Sequence, residues 1–269
     1  MKKLKYIIPL LSLLILFSCK DDNGTDPVDD QTTASSYYPG GVGTTLSYAI
    51  DTVNASTQNY EQFGSRNSTF ESASGDYLLQ RNNNDFGGAQ FTSSALFRRT
   101  DAGVYFQVDT SGFTGIADSL SESIGVSIDI NSDEEINILS APLFEGKTWK
   151  AFEINISFTQ VISITVPVIE VNAAYEGSEE MFVRARNENL TVQKIKYTLN
   201  IIDEEALNIG NINNPPTEVY TANAWFAAGT GLVKVEGNSV VLDAIRGTTA
   251  DLDFSNTQVR ESLVSVDLQ

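Results

Sequence analysis

The sequence predicts a mainly β protein: an antiparallel barrel, half-barrel or sandwich with little helix. Three observations lead there. Apolar and polar residues alternate at a period of two over long stretches. Turn-forming residues recur between those stretches. Helical spacing is confined to short segments. Alternation at period two puts one side-chain face on a core and the other in water, as in a half-buried strand.

Along the chain, residues 45–53, 68–72, 76–81, 95–99 and 103–108 read as strands. Asn82-Asn83-Asn84-Asp85 and Asp101-Ala102-Gly103 carry turn chemistry, because Asn and Asp bond nearby backbone and tolerate unusual dihedrals. Ile116, Leu120 and Ile124 recur one helical turn apart, which allows one short helix. The alternation is longest in residues 153–168, where Ile154, Ile156, Phe158, Ile162, Ile164, Val166 and Val168 share a parity. Pro167 has no N–H for a ladder and marks an edge, bend or strand end. Val171, Ala173 and Tyr175 continue on the other parity, so a bulge or break is expected near Ile169. Tyr175-Glu176-Gly177-Ser178 reads as a turn. Residues 181–186 and 194–201 form the next strands, around a turn at Asn187-Glu188-Asn189. A turn of helix fits residues 219–226, after Asn214-Pro215-Pro216. Gly237-Asn238, between residues 231–236 and 239–244, predicts a hairpin. Residues 263–268 fit a closing strand.

Composition narrows the chemistry. There is no histidine and a single cysteine. That removes the commonest general base, His-metal ligation, Ser-His and Cys-His nucleophile pairs, internal disulfides and Cys-based zinc sites. Without the three lysines of residues 1–18, 14 basic residues face 35 acidic ones, a net charge of −21. Such a chain is a poor nucleic-acid binder, since that binding neutralises phosphates. Its charge favours solubility at a crowded surface. The expectation is a protein that is not an enzyme and carries no cofactor.

The N-terminus carries the address. Lys2, Lys3 and Lys5 precede an apolar run from Tyr6 to Phe17. The run is too short to span a bilayer and has the pattern of a secretory leader. Leu16-Phe17-Ser18-Cys19 resembles a bacterial lipobox. That resemblance implies cleavage before Cys19, diacylglycerol on its thiol and a further acyl chain on its amino group. More than one chain is what firm anchoring requires. Lys20-Asp21-Asp22-Asn23 resembles the export signal of surface lipoproteins in the Bacteroidetes. The organisation expected is a leader at 1–18, a lipidated cysteine and acidic tether at 19–36, and one β-domain at 37–269. Residues 20–36 hold almost nothing able to pack.

Three segments resemble a family of bacterial envelope lipoproteins of unknown function. They are Tyr38-Pro39-Gly40-Gly41-Val42-Gly43-Thr44-Thr45-Leu46-Ser47-Tyr48, Pro142-Leu143-Phe144-Glu145-Gly146-Lys147-Thr148-Trp149, and Trp225-Phe226-Ala227-Ala228-Gly229-Thr230-Gly231-Leu232-Val233-Lys234. Gly40 and Leu46 depart from the family's pattern, which usually has Trp at the latter place. The resemblance implies one antiparallel β-domain, shaped like the half-barrels of the Lol-type lipoprotein carriers. It supplies no catalytic residues. Physically, Gly41-Val42-Gly43 and Gly229-Thr230-Gly231 suit tight turns covered by a ring, and neither fits a phosphate loop.

The remaining candidates are sites of binding. Asp129, Asn131 and Asp133 space their oxygens like the first half of a calcium loop, although Glu134 and Ser140 stand where that pattern wants Gly and Glu. The alternative is a solvated acidic turn between strands at 126–130 and 136–139. Trp149, Trp225 and Phe226, with Tyr37 and Tyr38, could stack on a sugar, line an apolar groove or plug the core. Arg184, Arg186, Lys194 and Lys196 share a face if residues 181–201 form a hairpin, and would then pair with Glu153, Glu170 or Glu179 or meet an anion or partner. Asp51-Thr52-Val53 and Asp118-Ser119-Leu120 resemble the O-glycosylation acceptor of the Bacteroidetes. The functional expectation is a lipid-anchored outer-membrane or cell-surface protein, exposed or on the periplasmic side. It would act as a non-enzymatic binding or structural module. The alternatives are a carrier of a lipid or other apolar ligand, and a glycan-binding or glycan-handling accessory protein.

Overall fold

The computed structural model describes residues 33–54, 56–108, 127–159, 163–202, 217–245 and 257–269. The leader, Cys19, the tether and the helix expected at 116–124 lie outside the described residues. A 3-10 turn, Ala34–Tyr37, opens the fold. Thirteen strands follow: β1 (Thr45–Val53), β2 (Tyr60–Ser72), β3 (Leu78–Phe86), β4 (Ala89–Arg99), β5 (Gly103–Gln107), β6 (Ser127–Ser132), β7 (Glu135–Ser140), β8 (Thr148–Thr159), β9 (Ser163–Val183), β10 (Glu188–Ile202), β11 (Thr217–Ala227), β12 (Gly231–Asn238) and β13 (Gln258–Asp267). Among the described residues one α-helix, α1 (Ser239–Ile245), lies between β12 and β13. All strands join one antiparallel sheet in the order β6-β8-β9-β10-β11-β12-β13-β1-β2-β3-β4-β5-β7. The mainly β, curved antiparallel fold with little helix is therefore what forms, and the sheet is not closed into a barrel.

The two edge strands, β6 and β7, are separated in sequence only by Asp133 and Glu134. A flat sheet of this many strands would hold its edges roughly 58 Å apart at about 4.8 Å per strand. Three peptide steps reach about 11 Å. The sheet must therefore roll until its edges meet. The changeover is visible in the backbone. Asp133 N–H donates to the Glu153 carbonyl at 3.0 Å, on the β8 side, while the Glu134 carbonyl accepts from Val108 N–H at 2.9 Å, just past β5. Residues 127–140 thus form one seam strand, paired first with β8 and then with β5.

Side chains lock the seam. Glu135 accepts from Arg98 at both oxygens (Nε–Oε1 2.7 Å, Nη2–Oε2 2.5 Å) and from the Tyr77 hydroxyl at 2.6 Å. The Arg98 guanidinium also lies 4.2 Å over the Tyr105 ring. Trp149 Nε1 donates to the Asn137 carbonyl at 2.9 Å, and the buried Tyr197 hydroxyl donates to the Ile138 carbonyl. These two bonds reach β7 from β8 and β10.

The interior is filled. Phe70, Phe97, Ile136, Leu139, Ile195, Tyr197, Leu199 and Phe226 are all at most 1% exposed. Tyr38 stacks on Phe70 at 5.9 Å and meets Phe97 edge-on at 5.2 Å. The end of the sheet where β1 begins is its base. There the 3-10 turn bridges distant turns: Ala34 N–H donates to Asp101 O at 3.0 Å, and Gly229 N–H donates to Ser36 O at 2.8 Å. Ala34 is fully buried, so the packed domain starts before residue 37. The three segments that carry the family resemblance all flank the base, at the starts of β1, β8 and β12.

Several local expectations give way to pairing. Asn82 to Asp85 lie inside β3, and the turn is Gly87-Gly88, whose φ values of 59° and 90° suit glycine. Ser68 Oγ and Gln80 Nε2 donate to Asn82 Oδ1 at 2.6 and 2.9 Å, which turns loop chemistry into strand chemistry. The long alternation at 153–168 is two strands, with Ile156 paired to Val166 and Phe158 to Ile164. The parity change is real: Ile154 pairs with Ile169 and Asn155 with Pro167, leaving Val168 as a bulge. Tyr175 to Ser178 stay in β9, and the shift in register leaves Glu176 bulged. Residues 184–187 make the turn, which starts three residues earlier than expected. Residues 219–226 lie in β11 rather than helix. Gly237-Asn238 is no hairpin. Val240, Val241, Leu242 and Ile245 are buried as helix, and Asn238 Oδ1 accepts Val240 N–H at 3.1 Å. Gly237 is required because a Cβ there would stand 2.4 Å from Ala222 Cα.

Arg98 holds the Glu135 carboxyl below the ordinary carboxylate pKa, with help from Tyr77. Because the folded pKa is depressed, this stabilisation is complete above the ordinary value and is lost as pH falls through the lower folded one. Glu135→Gln is expected to cost about 1–2 kcal/mol near neutral pH. The difference from the parent protein should shrink to nothing in acid, as read from denaturant midpoints at the two pH values.

Candidate functional site

Asp129 and Asn131 alternate with Ile128 and Ile130 along β6, and both are exposed. Side chains two residues apart on a strand sit about 7 Å apart in a line. A calcium site instead wraps oxygens around one point at 2.3–2.6 Å. Asp133 lies at the changeover, its N–H held by Glu153. No group of three or more His, Cys, Asp or Glu side chains suited to a metal forms among the described residues. The acidic stretch does join two strands, but those strands lie on opposite edges of the sheet.

The three aromatic candidates are not brought together. Phe226 is in the core at 1% exposure. Trp225 faces the other way and is covered by cations, with Lys234 Nζ 4.5 Å and Lys194 Nζ 5.7 Å from its ring. Its Nε1 donates to Glu179 Oε1. Trp149 is half-buried, its indole spent on the seam. Tyr37 and Tyr38 are buried beneath the base.

The basic cluster also divides. Arg184 and Arg186 sit in the β9–β10 turn, while Lys194 and Lys196 stand on β10. Lys194 pairs with Glu176 at 2.7 Å, not with Glu153, Glu170 or Glu179. Arg186 Nη2 donates to Gly229 O at 3.3 Å. Lys196 lines an outer cleft of about 520 Å³ with Thr148, Lys150, Asn172 and Thr198. In that cleft Lys150 is held by Glu153 at 2.6 Å, which raises the lysine pKa and lowers the glutamate's. Asp51, in one of the two glycosylation-like triplets, accepts from Arg260 at 2.7 Å. Asp118 lies outside the described residues.

A second cleft of about 410 Å³ crosses β2, β3 and β4, lined by Ser65, Asn67, Asn83, Asp85, Gln90 and Thr92 among others. Register places Ser65, Asp85 and Gln90 in one row, and Asn67, Asn83 and Thr92 in the next. Half-exposed Phe91 lies at its side. Hydroxyls, amides and one carboxylate offer paired donors and acceptors here, with no cation.

One arrangement was missed by sequence reading. Arg66 and Glu261 form a salt bridge of 2.6 Å inside the sheet, with side chains 4% and 1% exposed. The guanidinium lies 4.7 Å over the Tyr48 ring, and the Tyr48 hydroxyl donates to Leu232 O at 3.0 Å. A signal existed: Arg66 shares the parity of Ser68 and Phe70, and Glu261 that of Leu263.

No family model matches the chain, and no curated protein matches it. Among solved structures it is similar to a Bacteroides fragilis protein of YmcC-like fold, inferred to be exported. Identity there is 12%, the TM-score is 0.43, and 86% of this chain and 98% of that one are covered. It is similar to an inferred lipoprotein of Parabacteroides distasonis at 12% identity and a TM-score of 0.45, again covering 86% and 98%. It is also similar to the hypothetical lipoprotein YmcC of Escherichia coli at 9% identity and a TM-score of 0.33, covering 88% and 90%. All three likenesses are distant.

A buried charge pair is sensitive to loss of one partner. Arg66→Met should cost about 3–5 kcal/mol, because Glu261 then stays buried without its cation. Arg66→Met combined with Glu261→Leu should regain most of that loss. Denaturant unfolding of the three proteins measures both effects.

Proposed function

We propose that the chain is a lipid-anchored protein of the outer membrane, exposed at the cell surface, that works without catalysis as a binding or structural module. The observation that carries the choice is the filled interior. A carrier of lipid needs an open apolar groove, and the concave face is occupied by Phe70, Phe97, Ile136, Leu139, Tyr197 and Phe226. The role then falls to the outer surface. A glycan-processing enzyme would present two carboxylates about 5–10 Å apart in a cleft. Asp85 is the single carboxylate lining the two clefts described. Anchoring rests on Cys19, the one thiol of the chain, at the end of a leader-like run. Surface exposure rests on the Lys20-Asp21-Asp22 stretch after it.

Glycan contact through the β2–β4 cleft is the second reading. It is favoured by rows of amides and hydroxyls set side by side on three strands, since planar amides can bond neighbouring sugar hydroxyls.

Cys19→Ala should abolish acyl-chain labelling and move the protein out of the membrane fraction. A variant that remains membrane-bound and labelled would sink the anchor. Mass spectrometry of gently extracted protein should find no lipid beyond the covalent one. A stoichiometric extra lipid would restore the carrier. Protease shaving of intact cells should digest the domain if it faces outward and spare it if it faces the periplasm.

A further inference from the structure

Val42, Phe144 and Phe182 are more than half exposed, at 56%, 54% and 60%. Single exposed apolar side chains are ordinary. These three share one end of the sheet. Val42 is in the turn before β1, Phe144 in the loop before β8, and Phe182 beside the β9–β10 turn, so all stand at the base.

The cations of the described residues are sorted the same way. Arg66, Arg81, Arg98, Lys150, Lys194, Lys234 and Arg260 each pair with a carboxylate. Arg99, Lys147, Arg184, Arg186 and Lys196 have no such partner among the described residues. Four of these five are at the base; Lys196 is the exception, on the body of β10. In so acidic a chain, cations left without carboxylates at one end are a departure from the pattern elsewhere. Arg99 and Lys147 donate to the Tyr38 and Pro142 carbonyls, whereas Arg184 is exposed in the turn. Glu145 and Glu188 lie beside these cations, and Asp76 and Asp101 are exposed in the other turns of the base, so the end carries no net positive charge and the apolar tips must carry most of any contact.

The far end differs. Phe63, Phe91 and Val219 are also exposed there, at 45%, 48% and 59%, but Phe63 and Phe91 pack on Phe86, at 6.2 and 5.2 Å, and Val219 has Glu218 beside it on β11. Glu61 and Asp85 stand beside them, and the cation of that end, Arg260, is taken by Asp51.

The chain reaches the base first. Fourteen residues lead from Cys19 to Thr33, where the described domain starts. A chain of that length cannot span more than about 50 Å. The far end is a further strand length away, about 30 Å for a nine-residue strand. Held so close, contacts too weak to bind from solution become effective.

We propose that the base docks on the lipid bilayer, with Phe144, Phe182 and Val42 entering the headgroup region and Lys147, Arg184 and Arg186 facing lipid phosphates. This rests on the reading of Cys19 as the anchored residue. The acyl chains hold the protein, while the rings and cations set which way the domain faces. The outer clefts are then turned sideways, clear of the bilayer.

The test uses the full mature lipoprotein in nanodiscs of phosphatidylethanolamine and phosphatidylglycerol. An acylated Cys19 does not react with thiol reagents, so a fluorophore can be placed singly at Glu145→Cys, Glu188→Cys or Gln62→Cys. The first two report on the base and keep both rings; the third reports on the far end. A quencher carried on lipid headgroups should quench the two base sites several-fold more strongly than Gln62→Cys. Adding Phe144→Ser and Phe182→Ser should erase that difference while the protein stays in the nanodisc fraction. Equal quenching at all three sites, or stronger quenching at Gln62→Cys, overturns the docking and leaves the anchor standing. A Cys19 that takes the label overturns the anchor, and the docking falls with it.

Discussion

The fold depends on a change of partner made within two residues. Asp133 is bonded to β8 and Glu134 to the end of β5, so the first and last strands of the sheet are parts of one seam. Rolling follows from chain length alone, because two residues cannot bridge a flat sheet of this width. The roll creates an inside, and the inside decides which faces of the other strands meet. A seam of this kind also leaves the ring of backbone hydrogen bonds incomplete, since β6 and β7 do not pair with each other. Side chains take up the task. Glu135 is gripped by Arg98 and Tyr77 from one flank, while Trp149 and Tyr197 bond the backbone of β7 from the other.

Inside the roll, chemistry is layered. Near the base, Tyr38, Phe70, Phe97 and Phe106 form an aromatic layer. Beyond it lie Gln80, Asn82, Ser68, Arg66 and Glu261, all buried. The polar groups are joined in a chain, from the Tyr38 hydroxyl to Gln80 Oε1 at 2.6 Å and on to Asn82 and Ser68. Buried polar groups that are satisfied in this way hold a specific register, because sliding a strand by one residue would turn each of them out of the core. Among the described residues, the same side chains occupy the concave face of the sheet.

Aromatic residues that sequence reading offered as ligand contacts are mostly consumed by structure: Phe226 by the core, Trp149 by the seam, Trp225 by a cover of two lysines. What remains free is a set of outer-face hydroxyls and amides on β2 to β4, and the apolar and basic tips of the base.

The amino-acid sequence by itself determined the β class, the parity change near Ile169, the strand at 45–53, and the chemistry that the chain lacks. These are local or compositional properties, and period two is legible without knowing a strand's neighbour. It also marked the glycine turns at the base, whose dihedrals are local. Only the tertiary structure decided that Asn82 to Asp85 are strand, that Gly237-Asn238 leads into a helix, and that Asp129 and Asn131 stand in a line. The reason is physical. A strand's stability comes from partners far away in sequence, and alternation specifies a face without naming what covers it. Arg66 and Glu261 show the limit well: each sits on the apolar parity of its own strand, yet what makes that tolerable is the other, nearly two hundred residues away.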